Sequence, residues 1–521
     1  MPKWLNNAIF YEIYPQSFYD TNGDGIGDFE GIIQKLDYIK GLGCNALWLN
    51  PCFDSPFIDA GYDVRDFKKA APRYGTNEDL GRLFTEAHKK DLRVILDLVA
   101  GHTSEEHPWF LESCKTEPNE FSNRFIWTGH CFERAEGLGF IGGEAPRDGT
   151  YIINFFKCQP ALNYGFYQPR KPWQLPLDHP DCIATREALK DIMRFWLDLG
   201  CDGFRVDMAE SLAKYDDDKK SGTSSIWRNI RTMLDKEYPE AMLVAEWSNP
   251  ELSLKAGFHA DFLLNHIVGG GYYSLFRRYN NSPGKAVIEK DMSFFKKDGG
   301  GDIKLFLDDY LPRYEKTKND GFISLITGNH DTIRTRFNLT PEELKLAYGM
   351  IFTLPGVPFL YYGDEIGMRY LDLPTKEGGY FRTGARTPMQ WTAGKNLGFS
   401  SAPAEALYLP VDSEPDAPTV ESEGKNPASL YNTVKEILKF RRTHDELDGR
   451  PNLEILYAEK EKLPFVYKRG SLVLAVNPGS QRVSAPVKAP GNGRPLYSIG
   501  QGRLENGTCT LEGQSFVIFG T

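Results

Sequence analysis

A helix followed by a strand, with the same plan of apolar positions, recurs along this chain. In "GIIQKLDYIKGLGCNALWLNP", Ile32, Ile33, Leu36 and Ile39 share one helical face, Gly41 and Gly43 stop the helix, and an apolar run follows. "NEDLGRLFTEAHKKDLRVILDLV" repeats the plan with Leu80, Leu83, Phe84 and Ala87. "TREALKDIMRFWLDLGCDGFRVD" does so with Leu189, Ile192, Met193, Trp196 and Leu197. "TPEELKLAYGMIFTLPGVPFLYY" opens on Thr340, Pro341 and Glu343, a capping box with proline at the first helical position. Residues three and four apart line one face of a helix, whereas a strand that is apolar throughout needs cover on both faces. Amphipathic helices alternating with such strands mean a parallel sheet covered by helices. Strands are predicted near 9–14, 45–50, 93–98, 202–207, 241–246, 260–264, 322–327 and 357–362. Eight of them point to a closed (β/α)8 barrel, whose active site lies at the C-terminal strand ends. An open doubly wound sheet is the alternative, and no G-x-G-x-x-G follows the first strand to support it.

The chain has 521 residues, enough for more than one domain. Residues 104–175, rich in Gly, Pro and aromatics, lack a helical period and read as an irregular subdomain inserted after the third strand. Beyond about 445 the pattern becomes short alternating runs, "LPFVYKR", "SLVLAVN" and "SFVIFG", the mark of antiparallel strands. The organisation expected is barrel (1–103), inserted subdomain (104–175), barrel again (176–445) and a C-terminal β-sandwich (446–521).

A net charge of −10 without a basic block argues against nucleic acid as a partner and suits a neutral ligand. The eight cysteines form no C-x-x-C pair. "MPKWLNNAIFYEIYP" has no basic stretch leading into a long apolar run, and no apolar segment reaches spanning length. The expectation is a cytoplasmic enzyme away from membranes, a monomer or small homo-oligomer.

Acids mark the strand ends: Asp97 in "VILDLVAGH", Asp207 in "GFRVDMAES", Glu246 in "AMLVAEW" and Asp331 in "FISLITGNHD". A barrel brings these tips to one mouth. Carboxylates in an aromatic-rich mouth, without phosphate-binding glycines or a Cys/His metal set, suit glycoside cleavage, which needs one acid to protonate the leaving oxygen and another to attack or direct water. Arg205, two residues before Asp207, shares its face of the strand and is expected to lower that carboxyl's pKa. Glu246, in an apolar strand beside Trp247, is expected to be held protonated by desolvation.

In order along the chain, "DLVAGH", "GFRVDMAE", "AEW" and "GNHD" resemble the separated motifs of the α-amylase family of glycoside hydrolases and transglycosylases. The resemblance runs from "IFYEIYPQSF" to the terminal β domain. It implies a retaining mechanism with Asp207 as nucleophile, Glu246 as acid/base and Asp331 as transition-state stabiliser. Arg205, His102 and His330 match residues lining the sugar site, and Tyr62 an aromatic platform. Gly101 departs from the family's usual Asn, which in many amylases helps hold a calcium, so that calcium is not expected here. Glu210 and Ser211 replace a Lys-His pair common in endo-acting amylases, which weakens a polysaccharide-cleaving reading. "QPALN" and "ARTPMQW" resemble the branch of oligo-1,6-glucosidases, α-glucosidases, dextran glucosidases and trehalose-forming isomerases. Met208 stands where a valine accompanies α-1,6 cleavage in that branch, so linkage stays open. The function expected is release of glucose from the non-reducing end of short oligosaccharides. The alternatives are a trehalose-forming or sucrose-acting transglycosylase or isomerase, an endo-acting amylase, and a non-catalytic binding subunit, which usually lacks the acids present here.

Two further features complete the expectations. "DTNGDGIGD" offers oxygen ligands at alternating positions, Asp20, Asn22, Asp24 and Asp28, as a structural calcium requires. Its twelfth position is Gly31 rather than a bidentate glutamate, and the resemblance adds the Ile26 carbonyl as a ligand. Asp63, on the loop after strand two, and Arg386, after strand eight, are expected to form an ion pair across the mouth that closes the far side of a terminal-sugar pocket.

Overall fold

The computed structural model describes residues 1–264, 270–277, 291–488 and 492–521. Its centre is a ring of eight parallel strands: β1 (Phe10–Ile13), β2 (Ala46–Leu49), β3 (Arg93–Val99), β4 (Gly203–Asp207), β5 (Met242–Ala245), β6 (Ala260–Leu263), β7 (Phe322–Leu325) and β8 (Phe359–Tyr361). Each lies where the apolar runs predict a strand. Neighbours pair in sequence order from β1 to β7, and β8 pairs with β1. Between β7 and β8 the ring is completed by a bridge from Ile326 to Phe359, where the Thr327 N–H donates to the Phe359 carbonyl at 3.0 Å. Stacked Phe10 and Phe359, with Trp48 and Phe262 near them, are among the side chains packed around the strands. This is a packed core and leaves no pore.

The helices obey their local signals. Thr340 and Glu343 form the expected reciprocal cap of the helix Pro341–Ile351. The helix Pro180–Leu199 buries Leu189, Ile192, Met193, Trp196 and Leu197. The first helical stretch differs in detail. It breaks at Lys35 into Phe29–Gln34 and Leu36–Leu42, and Gly43, in left-handed conformation at φ 114°, ends it, while Gly41 stays within the helix. At the head of β4, Gly203 is required by space: a Cβ there would lie 2.1 Å from the Met242 carbonyl oxygen. That close approach sets the register that brings Arg205 and Asp207 to the barrel mouth.

The segment between β3 and β4 holds the short helix Pro108–Ser113 and a hairpin, Phe140–Gly142 with Thr150–Ile152, around a small core of Ile126, Ile152, Ala161 and Phe166. At the C-terminus a five-stranded antiparallel sheet and a three-stranded sheet follow the barrel. Side chains of a strand alternate between faces. Phe465, Tyr467, Leu474, Phe516 and Ile518 accordingly pack into the main core, while Val466, Val473, Val517 and Phe519 pack with Leu504, Cys509 and Leu511. No helix among the described residues is long and apolar enough to cross a membrane.

Candidate active site

Strand register places the acids. Asp97 lies opposite Arg205 across the β3–β4 pair and Val99 opposite Asp207, while Glu246 immediately follows β5. Arg205, 1% exposed, is the hub. Its Nη1 donates to Asp97 Oδ1 at 2.8 Å and to Asp207 Oδ1 at 3.0 Å, and its Nη2 lies 2.9 Å from Glu246 Oε2. Asp97 is also held by Trp48 Nε1 (3.2 Å) and the Tyr62 hydroxyl (3.0 Å), both donating to its Oδ2.

This geometry corrects the expectation for Asp207. Its carboxyl is raised well above the usual range by burial and by the negative charge of Glu246, which together outweigh Arg205. The sequence places Arg205 beside one carboxylate; the fold makes it serve three. Glu246 is likewise not isolated in apolar surroundings, since it pairs with Arg205 and accepts the Met208 N–H at 3.0 Å. Three carboxylates facing one guanidinium retain a proton more readily than one facing its own cation.

Asp331 has the opposite environment. Burial alone would raise its carboxyl, but His330, Arg382 and Arg386 hold it well below the usual range. Arg382 Nη1 and Arg386 Nη2 donate to its Oδ1 at 2.8 and 3.0 Å. His330 Nε2 lies 3.2 Å from Asp331 Oδ2 and Nδ1 2.9 Å from Glu12 Oε1. Burial disfavours the imidazolium, yet Asp331 and Glu12 outweigh it and lift His330 to about 9. The ring stacks on Tyr62 with centroids 5.4 Å apart.

The mouth holds a cavity of about 390 Å³. Of the residues singled out in the sequence, Tyr62, His102, Asp207, Met208, Glu246 and Asp331 line it. Arg205, His330 and Arg386 stand behind them, and Asp63 is turned away. Asp63 and Arg386 do not form the expected pair. Asp63 accepts the Ile58 and Asp59 N–H groups (2.8 and 3.0 Å) and the Ser55 hydroxyl (3.0 Å), so it ties its own loop together. Arg386 is engaged with Asp331 and the His330 carbonyl. The two segments do meet, through Asp59 and Arg382 at 3.6 Å and through Arg73 and Glu377 at 3.0 Å. Burial lifts Asp59 to about 6 against the pull of Arg382 and Arg386.

Sequence reasoning missed Asp59, Phe155, Phe156, Tyr380, Phe381 and Arg382 as lining residues. In the structure Phe155 (56% exposed) and Tyr380 (58%) present their rings at the cavity, which nothing in the sequence marks. Asp59 sits in an irregular loop and Arg382 in a single 3₁₀ turn, Tyr380–Ala385, neither of which has a sequence period to aim it. A larger, shallow hollow of about 660 Å³ near His444 and Arg450 lies by residues that bond to Asn6 and Gly356, at the opposite strand ends.

In the 20–28 loop, Asp20 Oδ1 accepts the Asn22 and Gly23 N–H groups, Asn22 Oδ1 that of Asp24, Asp24 Oδ1 that of Ile26, and Asp28 Oδ2 that of Thr21. The all-oxygen donor set suits a hard cation. Among the described residues no three His, Cys, Asp or Glu groups converge tightly enough to hold a metal alone. A cation here would need the Asn22 amide, the Ile26 carbonyl and water as further ligands.

Residues 12–449 match the model of the α-amylase catalytic domain. The chain is 31% identical to the trehalose synthase/amylase TreS of Mycobacterium tuberculosis, covering 85% of this chain and 76% of that protein. It is also 31% identical to the oligo-1,6-glucosidase of Heyndrickxia coagulans, covering 93% and 94%. Among solved structures, isomaltulose synthase from Erwinia rhapontici superimposes with a TM-score of 0.82 at 23% identity, covering 100% of this chain and 99% of that one, a likeness of fold.

Proposed function

This chain belongs to the α-amylase family, and we propose that it releases glucose from the non-reducing end of short α-glucosides through a covalent glycosyl-enzyme. The carrying observation is the pair Asp207 and Glu246, bridged by Arg205 at the pocket floor, with Asp331 fixed among cations nearby. Asp207, ionised, attacks the anomeric carbon while Glu246 gives its proton to the departing glycosidic oxygen. Glu246 then takes a proton from the incoming water, which breaks the ester to Asp207 and frees the sugar. The first step needs a single proton within the pair, carried by Glu246; burial and the crowding of negative charge that raise the Asp207 carboxyl favour one proton shared by the two, and the attacking form is the one in which Asp207 has given it up. Asp331, held ionised, is suited to sugar hydroxyls and to positive charge at the anomeric centre. Asp59 and Arg382, 3.6 Å apart and both lining the pocket, are placed to wall off one end of it, which supports a chain terminus over an internal segment as the ligand.

A second reading differs only in what resolves the ester. The exposed rings of Phe155, Tyr380 and Phe381 at the rim could hold a second sugar whose hydroxyl replaces water. Relatives include both a glucosidase and trehalose synthases, which keeps this reading beside the first.

One experiment tests both. Maltopentaose labelled at its reducing end should yield labelled maltotetraose first; labelled maltose and maltotriose appearing earlier would refute the closed pocket. Concentrated maltose incubated alone should give glucose, and a new disaccharide in its place would favour transfer. Asp207→Asn and Glu246→Gln should each lower kcat by about 10⁴-fold or more with the melting curve retained. We also propose a structural calcium in the 20–28 loop, supported by its oxygen donor set.

A further inference from the structure

Gly101 needs no glycine for its backbone, because its φ is not left-handed. What it supplies is space for a side chain. A Cβ at 101 would lie 2.7 Å from the side-chain Nδ2 of Asn154, which reaches in from the inserted segment. That amide nitrogen stands 3.1 Å from His102 Nδ1. On the other side of the ring, His102 Nε2 lies 3.1 Å from the Tyr62 carbonyl oxygen, which can only accept, so Nε2 carries the proton.

The orientation of the amide is fixed from behind. Lys214 Nζ, buried, donates to Asn154 Oδ1 at 3.3 Å and to the Ser211 carbonyl at 2.6 Å. The Ser211 hydroxyl, 3.4 Å from the same Oδ1, has one proton to give and lies nearer the Met208 carbonyl at 2.9 Å, so the Lys214 ammonium is what fixes the amide. Turning the amide over would set its NH₂ against an ammonium and leave its oxygen facing a lone pair on Nδ1. A lysine charge is thus relayed through one amide to a pocket histidine.

We propose that Asn154, oriented by Lys214 and admitted by Gly101, is a positioning residue that holds His102 as the neutral Nε2–H tautomer in the pocket wall. Met208, which follows Asp207 in left-handed conformation and lines the cavity, is tied to the same amide, with its sulfur 3.7 Å from Asn154 Nδ2. The arrangement couples the inserted segment to the residue after the nucleophile. Lys214 is the charged group whose field acts on His102, and Asp207, Glu246 and Asp331 line the same cavity as that histidine. Burial and Lys214 together lower His102 to about 3, which agrees with a ring that stays neutral.

The consequence for sugar binding rests on the function proposed above, but the tautomer is measured without sugar, so the two fail separately. Nitrogen NMR of the imidazoles in the full chain, with His102 assigned by the signals missing from His102→Gln, should show Nε2 protonated and Nδ1 bare from pH 5 to 8. Asn154→Asp puts an acceptor at Nδ1 and should raise the pH at which His102 takes up a proton by about one to three units, with the acid limb of kcat/KM moving by the same amount. Gly101→Ala should displace the amide and shift the Nδ1 resonance with the fold retained, and it serves as the test if Asn154→Asp does not fold. A protonated Nδ1 in the native chain would overturn the proposal, as would a His102 spectrum unmoved by these substitutions. An intact tautomer in a protein inactive on every α-glucoside would instead overturn the proposed function.

Discussion

Replacing Arg205 by methionine takes one guanidinium from three carboxylates while leaving a stem of similar bulk. Asp97, Asp207 and Glu246 all lose their contact at 2.8–3.0 Å. Removing one partner of a buried pair costs about 3–5 kcal/mol, because the other charge stays buried and unpaired. The three contacts share one cation and so do not add; the surplus is relieved when a carboxylate takes up a proton. The expected loss near pH 8 is therefore about 3–5 kcal/mol. Proton uptake also sets the pH dependence. A carboxyl stripped of its cation has a folded pKa above its unfolded value of about 4, so the folded chain binds more protons and its stability falls as pH rises through that interval. The deficit should widen from pH 5 to pH 8. Melts followed by tryptophan fluorescence should show a fall of about 3–5 °C at pH 8, at about 1 °C per kcal/mol for a chain of this length. Arg205→Lys should lose less stability but most activity, since one ammonium cannot bridge the contacts made by two Nη atoms. A fall under about 1 °C at pH 8, or a deficit that narrows as pH rises, would refute the hub role.

The loop pair separates two kinds of aspartate: Asp59→Ala should raise KM for maltose about tenfold with the melting point held, whereas Asp63→Ala should lower the melting point, because Asp63 caps backbone N–H groups. Equal effects of the two on KM would reject the corrected assignment. Lys214→Met should raise stability at pH 7, because burial lowers the lysine to about 8; the folded chain's penalty is present below that pKa and fades as pH climbs towards the unfolded value of about 10.4, so the gain should vanish by then. Chelation should lower the melting point and millimolar calcium restore it, by about 2.7 kcal/mol at a hundredfold excess over Kd; identical melts would remove the calcium, as would an Asp24→Asn variant with an unchanged response.

What the sequence determined by itself is whatever repeats locally. Apolar periodicity marked all eight barrel strands, because a strand covered on both faces must be apolar throughout, and the Thr340–Glu343 cap could be read from residues three apart. The acids at the strand ends were legible for the same reason: a strand end has a known direction, and a barrel sends every such end to one mouth. Partners across that mouth were not legible. Asp63 and Asp59 lie four residues apart in one irregular loop, and only the folded backbone turns one into a cap and aims the other at Arg382. The direction of the Asp207 shift was misread because its charge environment is a sum over β3, β4 and β5, of which the sequence displays only the neighbour two residues away. Gly101 illustrates the limit most sharply. In the sequence it is a missing side chain, while in the fold its space is filled by an amide that arrives from Asn154, more than fifty residues further along the chain.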